Sequence, residues 1–218
     1  NDSTSGNELW ISDGTKAGTK LLKDIVPNGS SYPRHFTVFG NEVYFTCHDS
    51  GNRTSLWKTN GTSAGTVKVK VLTTKPAFVH FIFVHENLMY FAANDSSLGV
   101  EPWVSDGTTG GTHVLKDIRF LGWSEPNSFI AYRGLVYFAA EDNYKERRLF
   151  VTNGTEAGTK RVTQKIKDPA WMKVYNGHLY MRAEGKEGIE LWRTDGTDEN
   201  TELVKDINPS GSSYPGYL

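Results

Sequence analysis

The sequence predicts an all-β chain, a β-propeller of four-stranded blades, and three observations carry that expectation. The stretch Glu8-Leu9-Trp10-Ile11-Ser12-Asp13-Gly14-Thr15 returns four times, at Ser55-Leu56-Trp57, Glu101-Pro102-Trp103, Arg148-Leu149-Phe150 and Glu190-Leu191-Trp192, each followed by Asp-Gly-Thr or Asn-Gly-Thr. The anchoring aromatics Trp10, Trp57, Trp103, Phe150 and Trp192 stand 47, 46, 47 and 42 residues apart, and a fixed period of this size marks a repeat architecture. Within each period, turn signals about every 10 residues separate four short strand-like runs, the content of one propeller blade. Strands such as Val136-Tyr137-Phe138 and Leu9-Trp10-Ile11 are apolar on consecutive residues, hence on both faces, as a blade pressed between two neighbours requires. The copies, starting near residues 8, 55, 101, 148 and 190, run through the whole chain, so residues 1–218 read as one domain with five blades. A ring of six or more blades is the alternative.

Taken in order, Glu8 to Ser12 is the first strand and Thr19 to Ile25 the second. Between them Asp13-Gly14-Thr15-Lys16-Ala17-Gly18 is a turn, because an Asx side chain accepts from backbone N–H groups two residues on and Gly tolerates positive φ. Gly18, Gly65, Gly111 and Gly158 recur at its end, and Asn200 takes that place in the last copy. Since Asn is the best non-Gly residue for a left-handed position, this place is expected to be left-handed. A Pro/Gly/Ser loop (Pro27 to Pro33) leads to a hairpin, His35–Phe39 with Glu42–Cys47 across Gly40-Asn41. Hairpins recur as Phe81-Ile82-Phe83 with Leu88–Phe91, Phe129-Ile130-Ala131 with Leu135–Phe138, and Met172-Lys173-Val174 with Leu179-Tyr180-Met181. Odd copies carry Lys-Asp-Ile (Lys23-Asp24-Ile25, Lys116-Asp117-Ile118, Lys205-Asp206-Ile207) and even copies do not, as if a two-blade unit had been duplicated. Five aromatic-anchored strand pairs face only four complete hairpins. The closing blade is therefore expected to be shared between the two ends, completed by a longer parent chain or by another protomer in a homo-oligomer.

The pattern Glu-Leu-Trp-x-x-Asp-Gly-Thr-x-x-Gly-Thr, with Lys-Asp-Ile and Asn-Pro-x-Gly-Ser-Ser after it, resembles the ELWxxDGT repeat family of long bacterial surface and secreted proteins. Residues 8–15 and 190–197 are near the consensus. The resemblance implies a β-propeller and carries over no catalytic motif. In blade number and period the chain is also similar to the five-bladed tachylectin propellers, as an analogy of fold without shared motifs.

Composition narrows the function classes. Lys+Arg 24 against Asp+Glu 25 leaves no basic footprint for nucleic acid. No run approaches the roughly 18–20 apolar residues of a membrane span, and no signal peptide opens the chain, as in a mature secreted protein. The single cysteine, Cys47, follows Phe45-Thr46 in a strand and reads as a small buried hydrophobe. Asn-x-Ser/Thr occurs at Asn1, Asn28, Asn52, Asn60, Asn94 and Asn153, where about two or three would arise by chance, and this points to an extracellular glycoprotein. Asn28, Asn52 and Asn94, in expected loops, are the candidate glycosylation sites.

The repeated tryptophans read as packing between blades. Trp123 and Trp171 break the repeat, and with Tyr32 and Tyr214 they fall in loops that enter hairpins, where binding residues collect on a rigid scaffold. These four are the candidate ligand-binding residues. His80 and His85 lie five apart on a strand and so face opposite ways, and no metal or cofactor is implied. No motif of a catalytic nucleophile, zinc protease or phosphate loop is present, so the expected protein is not an enzyme. The reading is a secreted, lectin-like propeller that binds a glycan or small molecule by aromatic stacking and loop hydrogen bonds. The alternatives are a structural or adhesive interaction module, a carrier of an apolar small molecule, and a glycosidase-like enzyme. The last would require one blade's loops to differ sharply from the others, and none was expected to.

Overall fold

The computed structural model describes residues 4–74, 79 and 81–216. Every regular element among them is a strand: β1 Leu9–Ile11, β2 Lys20–Lys23, β3 Arg34–Phe39, β4 Glu42–His48, β5 Thr54–Thr59, β6 Val67–Thr73, β7 Phe83–His85, β8 Leu88–Asn94, β9 Val100–Ser105, β10 His113–Val114, β11 Asn127–Tyr132, β12 Leu135–Glu141, β13 Arg147–Thr152, β14 Lys160–Arg161, β15 Lys167–Tyr175, β16 His178–Gly185, β17 Gly188–Thr194 and β18 Glu202–Lys205. They form four four-stranded sheets, β3 to β6, β7 to β10, β11 to β14 and β15 to β18, each in sequence order, and a two-stranded sheet of β1 and β2. The all-β class and the repeating four-stranded unit expected from the sequence are observed. The anchoring aromatic sits in the third strand of each four-stranded sheet.

The chain divides into two compact units, Asn1–Gly99 with Trp103–Val114, and Val100–Pro102 with Leu115–Leu218. In the first unit, Leu9 and Ile25 pack with Phe45, Cys47 and Trp57. A larger core joins Tyr44, Leu56, Val69 and Leu72 of one sheet to Met89, Phe91, Ala93 and Trp103 of the next. In the second unit, Phe150 lies with Ile118 and Phe138, and Trp192 packs with Leu179 and Met181 against Tyr137, Leu149 and Val151. Trp57, Trp103 and Trp192 thus each seat on the sheet before their own, whereas Phe150 packs within its own sheet and against Ile118. Trp10 departs from the expected packing role: it is 39% exposed, because no sheet of its unit precedes β1.

The second strands β4, β8 and β12 are buried on consecutive residues, as the two-faced apolar pattern requires. β16 instead alternates, burying Leu179, Met181 and Ala183 while His178, Tyr180 and Arg182 stay half-exposed. One of its faces is fully covered and the other only partly. The second expected hairpin also differs, since Phe81 and Ile82 lie outside β7.

The Asx-Gly-Thr turn is built as expected at its start and differently at its end. Asp106 Oδ1 accepts from Thr108 N and Oγ1, both at 2.8 Å, and Thr108 Oγ1 accepts from Gly111 N at 2.9 Å. Asn60 and Asn153 accept in the same way in the even copies. The left-handed residue is the central glycine, Gly107 at φ 88° and its equivalents Gly14, Gly61, Gly154 and Gly196. Gly111 and its equivalents have no positive φ, which corrects the expectation for that place. Gly is needed there by close approach, because a Cβ on Gly111 would lie 2.0 Å from Asp106 Oδ1. In the last copy Asn200 Nδ2 donates to Asp195 Oδ2 at 2.8 Å instead.

The lysine of the repeat ties sheet to sheet. Lys23 Nζ donates to the Thr66 and Ser63 carbonyls (2.7 and 3.2 Å), and Lys116 Nζ to those of Thr159 and Glu156 (2.9 and 3.5 Å). In copy four, where Thr163 takes that place, Lys165 two residues on reaches the carbonyls of Asp198, Glu199 and Thr201 instead. In each case a charged donor satisfies carbonyls in the turn of the following sheet, a stronger bond than a neutral pair makes.

Candidate functional site

The loops that enter the hairpins are held by a buried carboxylate. Glu101 Oε2 accepts from Ile118 N at 2.9 Å and Ser124 Oγ at 2.6 Å, and Oε1 accepts from Ser124 N at 3.1 Å. Glu190 does the same with Ile207 and Ser213, and Glu8 with Ile25, Val26 and the Ser31 hydroxyl. The glutamate of the repeat is thus the peg on which each odd loop hangs. Even copies use other chemistry at that place. Ser55 lies beside Asp49, which pairs with Arg53 and Lys68. Arg148 donates to the carbonyls of Gln164 and Ile166. The alternation visible in the sequence is therefore an alternation of loop anchors. Burial pushes the Glu101 carboxyl up to about 7 against the pull of its three donors. Glu190 also feels burial, but its hydrogen bonds from Ser213 and Ile207 win and lower it. Ile207 is exposed where Ile118 is buried, although both glutamates are fully buried.

With the loop pegged, the next residue is forced left-handed. Ser31 N and Tyr32 N both bond to the Asn7 carbonyl at 3.0 and 3.1 Å, and Tyr32 has φ 49°. The same geometry recurs at Glu125 (φ 46°) on the Val100 carbonyl and at Tyr214 (φ 50°) on the Ile189 carbonyl. Aligning the hairpin ends, Phe39 opposite Glu42, Tyr132 opposite Leu135 and Tyr175 opposite His178, puts Trp171 at the place of His35 and Ser128. All three are left-handed, at φ 56°, 56° and 58°, where the register of the first strand shifts.

Of the four aromatics expected to bind, Tyr32 and Tyr214 are equivalent loop residues and both are exposed. Tyr32 meets His48 edge-on with centroids 6.2 Å apart. Burial and the Arg34 cation hold His48 below the usual imidazole range, against the pull of Asp49. Trp171 is exposed but lies inside β15, at a bulge, and not in the loop before it. The run Lys167–Tyr175 is longer than the apolar pattern from Met172 onward suggested. Trp123 is in a loop as expected, yet at the place of Ser30 and Ser212, and so belongs to neither of the other two positions. The structure therefore distributes these aromatics over three places of the repeat.

Asn28 and Asn52 lie exposed in loops at φ 62° and 56°. Asn94 is instead the last residue of β8, half-buried, with its side chain accepting from Ser96 N at 2.7 Å. Asn1 and His80 lie outside the described residues. Cys47 is buried, and burial pushes its thiol far above the ordinary range. Among the described residues no three His, Cys, Asp or Glu side chains are grouped to hold a metal ion, and no helix is long and apolar enough to cross a membrane. One loop does differ sharply from its equivalents, contrary to expectation: Phe120-Leu121-Gly122-Trp123 stands where copies one and five have Pro-Asn-Gly-Ser and Pro-Ser-Gly-Ser.

No family model matches the chain, and no curated protein matches it. Among solved structures it is similar to puromycin hydrolase, in a serine-to-alanine mutant complexed with PGG, at a TM-score of 0.55 and 13% identity over 89% of this chain. A second puromycin hydrolase structure gives 0.50 at 14% identity over 89%. The chain spans about a third of the length of puromycin hydrolase, 32% in both cases. The computationally designed protein Ika4 gives a TM-score of 0.47 at 12% identity, covering 86% of this chain and 98% of its own. At these identities the two hydrolase structures speak to fold alone. They are compatible with a propeller-like assembly of four-stranded antiparallel sheets, and the hydrolase name belongs to that protein.

Proposed function

We propose that the chain is a lectin-like module that binds carbohydrate through exposed aromatics at the mouths of its repeats. The observation that carries this reading is the pairing of residue type with backbone. Tyr32, Trp171 and Tyr214 all sit at φ near 50°, where a bulky non-glycine residue costs roughly 1–2 kcal/mol and Gly or Asn would relieve it. They are exposed as well, so their rings can be reached from solvent. Strained positions of this kind collect at ligand clamps. An aromatic face over a sugar's C–H surface, flanked by loop Asn, Ser and backbone groups, is the corresponding chemistry. Several weak sites of this kind gain avidity by repetition.

The rest of the reading follows from the repeat. The chain is a member of the ELWxxDGT repeats, non-catalytic and extracellular, with glycans at exposed Asn28 and Asn52. Its blades form a five-membered ring in which β1 and β2 are completed by a hairpin from a longer parent or a second copy. Glycan-array binding by the whole chain, repeated with Trp171→Ala and Tyr214→Ala, tests the central point. Each variant is expected to lose tenfold or more in apparent affinity with an unchanged melt. Equal binding by parent and variants refutes it.

A further inference from the structure

The third copy carries a surface that the sugar-binding reading does not use. Its loop keeps the scaffold of copies one and five: Gly122 N bonds to the Arg119 carbonyl at 2.9 Å, as Gly29 N does to Val26 and Gly211 N to Asn208. Only the outward side chains change. Phe120 is 71% exposed, Leu121 88% and Trp123 54%. Leu121 has φ 58° and takes the place that copy one gives to Asn28 at φ 62°. An aliphatic residue there is disfavoured twice, by the left-handed backbone and by water. Phe120 N donates to Asn143 Oδ1 at 2.8 Å, and this brings the neighbouring tip alongside, with Tyr144 79% exposed. Two adjoining loops of one unit thus present Phe, Leu, Trp and Tyr together, and contiguous exposed apolar surface marks an interaction site.

We propose that the paired tips 120–123 and 143–144 dock onto the surface of a lipid bilayer, the apolar rings and Leu121 entering the interfacial layer. Three features favour lipid over a protein partner. Phe120, Leu121 and Tyr144, at 71%, 88% and 79% exposure, stand proud of the surface, and a fluid apolar layer needs no matching shape to receive them. Trp, Tyr, Phe and Leu are the residues that settle at the headgroup boundary. Part of the backbone at the tips is also already satisfied. Besides the bonds of Phe120 and Gly122, the Trp123 carbonyl accepts from Arg119 Nη1 at 3.1 Å, and Tyr144 N bonds to Asp142 Oδ1 at 2.8 Å. Entry into an apolar layer therefore strands fewer polar groups than a bare loop would. Arg119 is paired with Glu141 at 2.7 Å, so attachment is apolar and needs no anionic lipid.

Flotation of the whole chain with phosphatidylcholine vesicles tests this. Part of the protein is expected to float at millimolar lipid, in low and in molar salt alike. The double variant Phe120→Ser, Leu121→Ser removes two of the apolar side chains and is expected to float at least tenfold less, with an unchanged melt. Trp171→Ala, which removes a proposed sugar ring, is expected to float like the parent, so the two readings fail separately. Absence from the lipid fraction, or equal flotation of parent and double variant, overturns the proposal. So does self-association without lipid that the double variant abolishes, since that assigns the tips to a protein contact.

Discussion

Glu101 shows how one side chain can carry both structure and pH response. It is fully buried, three donors converge on it, and burial nevertheless pushes its carboxyl up to about 7. A carboxyl raised on folding binds its proton more tightly in the native state, so its contribution is full below the unfolded value near 4.5 and is lost as pH rises towards 7. Glu101→Gln removes this titration. The stability gap between parent and variant, read from urea melts, is expected to shift in the parent's favour on going from pH 8 to pH 5, by about 3 kcal/mol at most. A gap that stays constant, or moves the other way, would show that the donors outweigh burial. The glutamate was plain in the sequence as the first letter of the repeat. Its role was not, because its partners lie 17 and 23 residues downstream and only the fold brings them in. A serine always 23 residues after the glutamate of odd copies was the available signal.

At the scale of the element, the Asx-Gly-Thr turn is the most legible feature of the chain. Its mechanism is local: one Asx oxygen accepts two donors from the Thr two residues on, so sequence spacing dictates it. Asp and Asn serve equally, since Asp106 and Asn60 offer the same Oδ1 to the same partners. Asp106→Asn is accordingly expected to leave the unfolding free energy within about 0.5 kcal/mol, whereas Asp106→Ala loses both bonds and costs about 1–2 kcal/mol. Chemical denaturation of the two variants separates them, and equal losses would contradict the account. The last glycine of the turn was misread because a recurrent glycine answers to two causes. Positive φ is visible in residue preference, but the close approach of the Asp106 carboxylate to Gly111 is visible only in space. The placement of Trp171 failed for a related reason. A bulge allows a strand to run through residues whose apolar alternation is broken, and β15 begins at Lys167 with two register shifts.

For the whole molecule, the incomplete sheet has a mechanical consequence. β1 pairs only with β2 among the described residues, whereas β5, β9, β13 and β17 each lie between two strands. An unpaired edge leaves backbone donors and acceptors open to another chain. Extending the chain with a hairpin patterned on Arg34–His48 is expected to raise the thermal midpoint and to slow amide exchange in β1. An unchanged midpoint with unchanged exchange would refute the proposed completion of the first blade. The sequence by itself determined the all-β class, the repeat, the four-stranded unit and its turns, because those follow from short-range periodicity and from side chains bonding within a few residues. Only the tertiary structure decided how the loops hang from buried Glu or Arg148, why the repeat's lysine reaches the next sheet's turn, and that Phe120, Leu121, Trp123 and Tyr144 share one surface. Each of these joins residues that are distant in sequence, and no period along the chain encodes which of them meet.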